Sequence, residues 1–128
     1  MELLEIIARA LASLTGLLHV WIFIMESVLW MRPSIYRRFA VPSKEQAAQL
    51  KDVMLNQGYY NLFLALGSLF GAAFFTSIDG AATVLLYSNL CIAGAGAVLL
   101  ISKPALFRAA LIQGLPALAA VVTAFLSL

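Results

Sequence analysis

Four long apolar blocks take up most of this chain, and they constrain its fold more than any other feature of the sequence. The blocks cover approximately residues 3–30, 57–75, 81–101 and 109–128. Each is close to, or longer than, the roughly 20 residues that a helix needs to cross about 30 Å of hydrocarbon. They run apolar without the alternation of a membrane-spanning β-strand. The pattern therefore predicts an all-α integral membrane protein with four transmembrane helices in one bundle.

The composition points to the same class of protein. Of the 128 residues, 63% are hydrophobic and 11% are charged, whereas an ordinary globular domain is about half apolar and about a quarter charged. The mean hydropathy is +0.99. The first block begins with acidic residues and has no cleavage signal at its end, so we interpret it as a helix and not as a secretion signal. The length suits a single domain over residues 1–128.

The basic residues are distributed unevenly between the loops. Apart from Arg9, every Lys and Arg lies between the first and second blocks or between the third and fourth, namely Arg32, Arg37, Arg38, Lys44, Lys51, Lys103 and Arg108. The positive-inside rule makes that side of the membrane cytoplasmic. We therefore expect both termini outside and a long cytoplasmic first loop. The net charge of +2 fits loops that lie near anionic lipid, and we expect no nucleic-acid partner.

The first loop contains the signals of a helix start. Pro33 and Pro42 interrupt the preceding helix, and Ser43 with Gln46 three residues later has the spacing of a capping box. We expect the second helix to begin near residue 44, in the cytoplasm. Two interpretations of these cytoplasmic turns remain open: a solvated surface on the lipid headgroups, or a docking surface for a soluble partner.

The stretch HVWIFIMESVLW places His19 and Glu26 inside the first apolar block. At about 1.5 Å per helical residue, Glu26 lies roughly 9 Å inside the interface marked by Arg32, and His19 lies roughly 20 Å inside. Their spacing is close to two helical turns, which puts both on one face. Charged side chains are costly in hydrocarbon and normally face a bundle interior or a water-filled cavity. We expect this face to point inward.

Polar side chains on two other helices are expected at the depth of Glu26. Gln57 and Asn61 share one face at the start of the second block, and Tyr60 adds a hydroxyl. Gln113 lies roughly 7–8 Å beyond Arg108 on the fourth helix. Together these positions form the candidate site for a ligand or a proton: Glu26, His19, Gln57, Tyr60, Asn61 and Gln113.

A second, sparser polar layer is expected deeper in the membrane. The same count of about 1.5 Å per helical residue places Ser68 and Asn89 near the middle of the hydrocarbon, at about the depth of His19. Gly67 and Gly71, and the run AGAGA over residues 93–97, are typical of surfaces where helix backbones approach closely.

The sequence favours binding over catalysis. It has no nucleophile with a matching base, no metal-ligand spacing and no phosphate-binding loop, and we interpret the single Cys91 as a packing residue. We therefore expect no cofactor and no metal. Loss of water penalises a charged carboxyl, so Glu26 can take up a proton reversibly.

The leading hypothesis is a membrane-embedded protein that binds or transports a small lipophilic or weakly polar ligand. The alternatives are a structural or regulatory membrane subunit, in which Glu26 only joins helices, and, less readily, an enzyme that acts on a lipophilic substrate. The close-packing motifs on the second and third helices exceed what one helix pair must use, so we also expect a homo-oligomer.

Three motifs together resemble a known family. HVWIFIMESVLW, NQGYYNLFLALGSLFG and IQGLPALAAV resemble the bacterial membrane family called domain of unknown function 1304, over nearly the whole chain. The resemblance implies a four-helix protein of the bacterial inner membrane, and it implies no established reaction.

A fainter similarity is to the eicosanoid and glutathione-metabolism membrane proteins. The shared features are the long first loop, an Asn at the start of the second helix, and a fourth helix with proline, as in IQGLP over residues 112–116. That similarity implies a homotrimer. The third helix has no Arg or His, and the second lacks an Arg-rich start, so glutathione chemistry is not implied.

Overall fold

A computed structural model describes residues 2–128, and helices form almost all of them. Helix α1 covers Glu2–Phe23 and continues as one π-helical turn over Ile24–Val28. The later helices are α2 (Pro33–Tyr36), α3 (Lys44–Phe74), α4 (Ala81–Ser102) and α5 (Phe107–Ser127), with short 3-10 turns at Arg37–Phe39 and Pro104–Leu106. No strand occurs among residues 2–128. The all-helical prediction is confirmed.

Three helices in the described part of the chain are long and apolar enough to cross a membrane. They are Glu2–Val28, Ala81–Ser102 and Pro104–Ser127, and they are compatible with a membrane protein. Helix α3 has 31 residues, but charged and amide side chains occupy much of its first half. The fourth span therefore stays a prediction.

The chain divides into two compact units. Unit 1 contains the residues up to Leu18 together with Leu64–Leu128, and unit 2 contains His19–Phe63. In unit 1, segments of α1, α3, α4 and α5 meet in a core that consists mainly of alanine: Ala8, Ala12, Ala72, Phe75, Leu85, Ala120 and Ala124. Small side chains let helix backbones approach closely.

Glycines of α3 lie directly against α4 in unit 1. A Cβ added at Gly71 would lie 2.7 Å from the backbone nitrogen of Leu85, and one added at Gly67 would overlap the hydroxyl of Ser88. Real Cβ atoms do not come this close to backbone atoms. The predicted close packing at Gly67 and Gly71 is confirmed.

The next contact in unit 1 joins α4 to α5. A Cβ at Gly96 would lie 3.0 Å from the Cα of Gly114, so the two backbones touch there. Gly94, two residues earlier on α4, has no such neighbour within 4 Å. The predicted close-packing run therefore has one packed glycine and one open glycine.

Arg9 closes the end of α3 within unit 1. Its Nε donates a hydrogen bond to the carbonyl of Ala72 at 2.8 Å, and its Nη1 donates to Glu5 at 3.1 Å. The last carbonyls of a helix lack partners within the helix, and a cation there also interacts favourably with the helix dipole. Arg9, the one basic residue that lies outside the two basic loops of the sequence, thus has a structural role at the end of α3.

Unit 2 is built from the end of α1 with its π-helical turn, the first loop and the part of α3 up to Phe63. The first loop folds against α3 around a core of larger side chains, namely Met25, Trp30, Ile35, Tyr36, Val41 and Ala47. The Nε1 of Trp30 donates to the carbonyl of Ala47 at 2.9 Å. The first loop is therefore a packed layer on one side of α3.

Two capping contacts lie where the first loop joins α3. Ser43 Oγ accepts from the Gln46 backbone amide at 3.2 Å, as the capping spacing predicts. Three residues earlier, Ala40 has a φ of 61°, and the Val41 amide donates to the carbonyl of Tyr36 at 3.2 Å. This is a Schellman closure with alanine at the position where glycine is usual.

Candidate functional site

Glu26 lies on the π-helical turn at the end of α1. The amide of Leu29 donates to the carbonyl of Ile24 at 2.9 Å, five residues earlier, and this bond defines the wider turn. The Glu26 side chain is buried, with 4% exposure. Such turns are rare and occur frequently at functional sites.

Asn61 of α3 holds the Glu26 carboxyl. Its Nδ2 donates to Glu26 Oε1 at 2.5 Å and to the carbonyl of Gln57 at 3.2 Å. The amide group has two N–H donors, so one bond fixes the side chain to its own helix and the other is directed at the carboxyl. The site therefore consists of a carboxyl and an amide that is oriented toward it.

No cation balances this carboxyl in the part of the chain that the structure describes. The ion pair recorded among those residues joins Glu5 to Arg9. Removing a carboxylate from water costs several kcal/mol unless it is paired and hydrogen-bonded. One neutral donor is partial compensation, so the carboxyl can accept a further hydrogen-bond donor.

Three contacts hold the turn with Glu26 against α3. Ser27 Oγ donates to the carbonyl of Leu55 at 2.8 Å. Gly58 of α3 lies directly against Ser27, and a Cβ added at Gly58 would overlap the Ser27 hydroxyl. The ring of Phe23 meets the ring of Tyr59 edge-on, with centroids 5.1 Å apart. Neither Ser27 nor Phe23 was a predicted site residue, although Gly58 signals a close approach of two backbones.

The other predicted residues of unit 2 have different positions. Gln57 contributes its backbone carbonyl, while its side chain is exposed. Tyr60 is 61% exposed, and His19 is almost fully buried. Within unit 2, the structure brings together Glu26, Asn61 and the backbone of Gln57.

Gln113 belongs to unit 1, where it is half-buried on α5.

The two residues of the deeper predicted layer, Ser68 and Asn89, also lie in unit 1, and they are in contact. Ser68 Oγ donates to the carbonyl of Ala12 at 2.7 Å, and Asn89 Nδ2 donates to Ser68 Oγ at 2.9 Å. Asn89 Oδ1 is buried without a partner among residues 2–128. This layer links three helices through a short chain of hydrogen bonds.

Two open surface grooves are found within unit 1, and both are lined almost entirely by apolar atoms. The larger has a volume of about 430 Å³ and is lined by Leu14, Leu18, Leu111, Ile112, Leu115 and Pro116. The second, of about 340 Å³, lies between α4 and α5 beside Gly96 and Gly114. Their linings suit hydrocarbon chains better than polar groups.

Residues 13–125 match the family model described as "Protein of unknown function (DUF1304)". The chain belongs to this family. The match confirms the resemblance seen in the three motifs, and it covers Glu26, Asn61 and Gln113. No curated protein and no solved structure matches this DUF1304 chain. The fainter similarity to the eicosanoid and glutathione-metabolism proteins stays a prediction.

Proposed function

We propose that this DUF1304 protein binds or transports a small lipophilic or weakly polar ligand within the membrane, and that Glu26 makes it sensitive to protons. The observation that supports this is the buried Glu26 carboxyl on a π-helical turn, held by one neutral amide from Asn61. Intramembrane carboxylates are costly and are commonly found on substrate or proton pathways. A proton can neutralise the charge of the carboxyl, and a donor group on a ligand can supply a further hydrogen bond to it.

The proposed topology has four spans in a bacterial inner membrane, with both termini outside. Three helices are apolar enough to span, and α3 is long enough to supply the fourth after a cytoplasmic start. The bond from Asn61 to Glu26 supports this assignment, because it gives a polar side chain of α3 a partner away from lipid. The basic first loop then faces the cytoplasm.

Cysteine labelling of intact cells tests the topology. In a Cys91→Ala background, a cysteine at Ser43 should be protected from an impermeant maleimide, and a cysteine at Leu128 should react. Labelling at Ser43 together with protection at the C-terminus would contradict the orientation.

The proposed partners are the lipid bilayer and further copies of this chain in a homo-oligomer, with a trimer favoured by the fainter similarity. Gly94 supports assembly, because it leaves a small, open surface on α4 with nothing within 4 Å. Small residues are enriched where membrane helices associate. Native mass spectrometry in mild detergent should show the trimer, and a monomer under all mild conditions would count against it.

A structural or regulatory subunit is the second candidate. The bond between Asn61 and Glu26 favours it, because the two side chains can serve only to join α1 to α3. Such interhelical bonds stabilise membrane proteins by around 1 kcal/mol. In the first candidate function the Glu26 carboxyl must bind a proton or a ligand, and in the second it only joins α1 to α3. An experiment on Glu26 can therefore distinguish them.

The experiment compares Glu26→Gln with Glu26→Leu and with the exposed control Glu45→Gln. The purified protein in nanodiscs is melted across pH 5–8, alone and with a panel of lipophilic compounds. We expect Glu26→Gln to fold and assemble but to lose the pH dependence of melting and the shifts caused by compounds that stabilise the unmodified protein. The Glu45→Gln control should keep both.

A different result would support the structural role. If the pH dependence and the compound-induced shifts persist in both Glu26→Gln and Glu26→Leu, the carboxyl only joins helices and the binding proposal is wrong.

A further inference from the structure

The segment after the first candidate span presents three arginines on a folded loop. The span ends at Val28, and Arg32 follows four residues later. Arg37 and Arg38 form most of the 3-10 turn that closes the loop. All three side chains are exposed. They therefore lie close to the end of the span, where lipid headgroups begin.

The backbone of this loop is fixed by hydrogen bonds and packing. The amide of Ile35 donates to the carbonyl of Arg32 at 2.8 Å, and the amide of Ala40 donates to the carbonyl of Arg37 at 3.1 Å. Ile35 and Tyr36 are buried in the core of unit 2. Because these residues face inward, the neighbouring arginines are held outward. A ligand that binds them does not have to order the loop backbone first.

Among residues 2–128, the three guanidinium groups form no ion pair with a carboxylate. The ion pair found within residues 2–128 joins Glu5 to Arg9, even though Glu45 and Asp52 belong to the same unit as the loop. Unpaired guanidinium groups keep their planar sets of N–H donors, which match the oxygens of a phosphate.

The charge of the region also favours an anion. Residues 31–54 contain five basic and two acidic side chains, a net charge of +3. Basic residues next to a span are attracted to anionic lipid, and the attraction falls off within a Debye length of the surface.

From the position, the rigid backbone and the unpaired guanidinium groups, we propose that Arg32, Arg37 and Arg38 form a binding site for the phosphate group of an anionic phospholipid. The site is separate from Glu26 and does not depend on the function proposed for it. The lipid, held by its own acyl chains beside the span, presents the phosphate at the level of the loop.

Native mass spectrometry of the full-length protein tests this site. The protein in mild detergent is titrated with phosphatidylglycerol and, separately, with phosphatidylcholine. A contribution of about 5-fold per surface cation predicts a preference for phosphatidylglycerol of at least about tenfold. The variant Arg32→Gln/Arg37→Gln/Arg38→Gln should lose this preference.

The matched control removes the same charge elsewhere. Lys44→Gln/Lys51→Gln removes two exposed cations that do not directly follow a candidate span and should keep the preference, whereas Arg37→Gln/Arg38→Gln, with the same change in charge, should lose most of it. An equal loss in this control would overturn the site, because net charge alone would then explain the binding. Displacement of the lipid by millimolar inorganic phosphate would overturn it as well, since the ligand would then be a soluble anion.

A conservative variant covers the case in which the glutamine variant fails to fold. Arg32→Lys/Arg37→Lys/Arg38→Lys keeps the charge but lacks the paired donors of guanidinium, so it should fold and show a weaker preference. An unchanged preference in this variant would contradict recognition by the arginines.

Discussion

The two units differ in the size of the side chains that fill their cores. The core of unit 1 consists mainly of alanine, with glycines at the helix contacts. The core of unit 2 uses Trp30, Tyr36 and other large side chains, and the unit also buries the carboxyl of Glu26. Where helix backbones touch, there is no room for a side chain larger than alanine. Large side chains such as Trp30 carry polar atoms, and these need hydrogen-bond partners when they are buried. The comparison indicates that small side chains set the spacing of the helices in the core of unit 1, whereas the core of unit 2 depends on large side chains and on the bond from Asn61 to Glu26.

The largest expected effect is that of enlarging a packed glycine in unit 1. In Gly71→Ala, the new Cβ would lie 2.7 Å from the backbone nitrogen of Leu85, so α3 and α4 must move apart. Overpacking of this kind costs about 1–3 kcal/mol, and we expect the upper end because the nearest atoms are the Cβ, N and Cα of Leu85, which cannot move without the backbone of α4. The free energy of unfolding, measured by SDS titration in mixed micelles, gives the loss.

Gly94→Ala is the matched control on α4. Nothing in the described part of the same chain lies within 4 Å of the added Cβ, and alanine favours helix over glycine by about 1 kcal/mol. Measured on the single chain, in micelles that keep copies of the protein apart, the free energy of unfolding should therefore stay the same or rise. Equal losses in Gly71→Ala and Gly94→Ala would show that small side chains do not set the spacing of the helices in unit 1.

The next effect concerns the hydrogen bond of unit 2. Asn61→Leu removes the donor to Glu26 and leaves a buried carboxyl without it, which should cost about 1–3 kcal/mol. The double variant Glu26→Leu/Asn61→Leu removes both partners and should recover part of that loss. A double-mutant cycle on the free energy of unfolding measures the coupling. Additive losses would mean that the bond contributes nothing to unit 2.

How far the sequence predicts these features differs between the two units. The apolar blocks and the glycine motifs predict the helices and the contacts of Gly67 and Gly71, because length, hydropathy and small residues are local signals. The capping spacing of Ser43 likewise predicts where α3 begins.

The site of unit 2 could be predicted only in part. The depth count predicts Glu26 and Asn61 at the same level of the membrane, and the structure joins them by a hydrogen bond. The depth of a residue in the membrane does not show which way its side chain points, however. The sequence therefore does not predict that Glu26 is buried while Tyr60 is exposed. No sequence signal used above predicts the π-helical turn. The turn contains one extra residue, so it rotates the side chains that follow it around the helix axis. The contact of Ser27 with α3 depends on that turn and was missed for the same reason.

A smaller effect is expected from the tryptophan that anchors the first loop. Trp30→Phe removes the Nε1–H that donates to Ala47 and leaves a buried carbonyl with one partner fewer. The loss should be about 1–2 kcal/mol in the free energy of unfolding. Trp21→Phe is the control, because Trp21 is 41% exposed and should change stability much less. Equal effects would argue against a specific role for the Trp30 bond.

The smallest effect is a gain, and it tests whether the loop of unit 2 contains a strained residue. Ala40 has a φ of 61°, a conformation that glycine adopts without the steric penalty of a Cβ. Ala40→Gly should therefore raise the free energy of unfolding by about 1 kcal/mol. The control Ala48→Gly makes the same chemical change at an exposed position inside α3, where glycine should lower stability by about 1 kcal/mol. The two substitutions thus have opposite expected signs, which removes any general effect of glycine on the unfolded chain. If both variants are destabilised equally, the left-handed closure at Ala40 is not maintained in the membrane-embedded protein, and the rigid loop that presents Arg37 and Arg38 is lost with it.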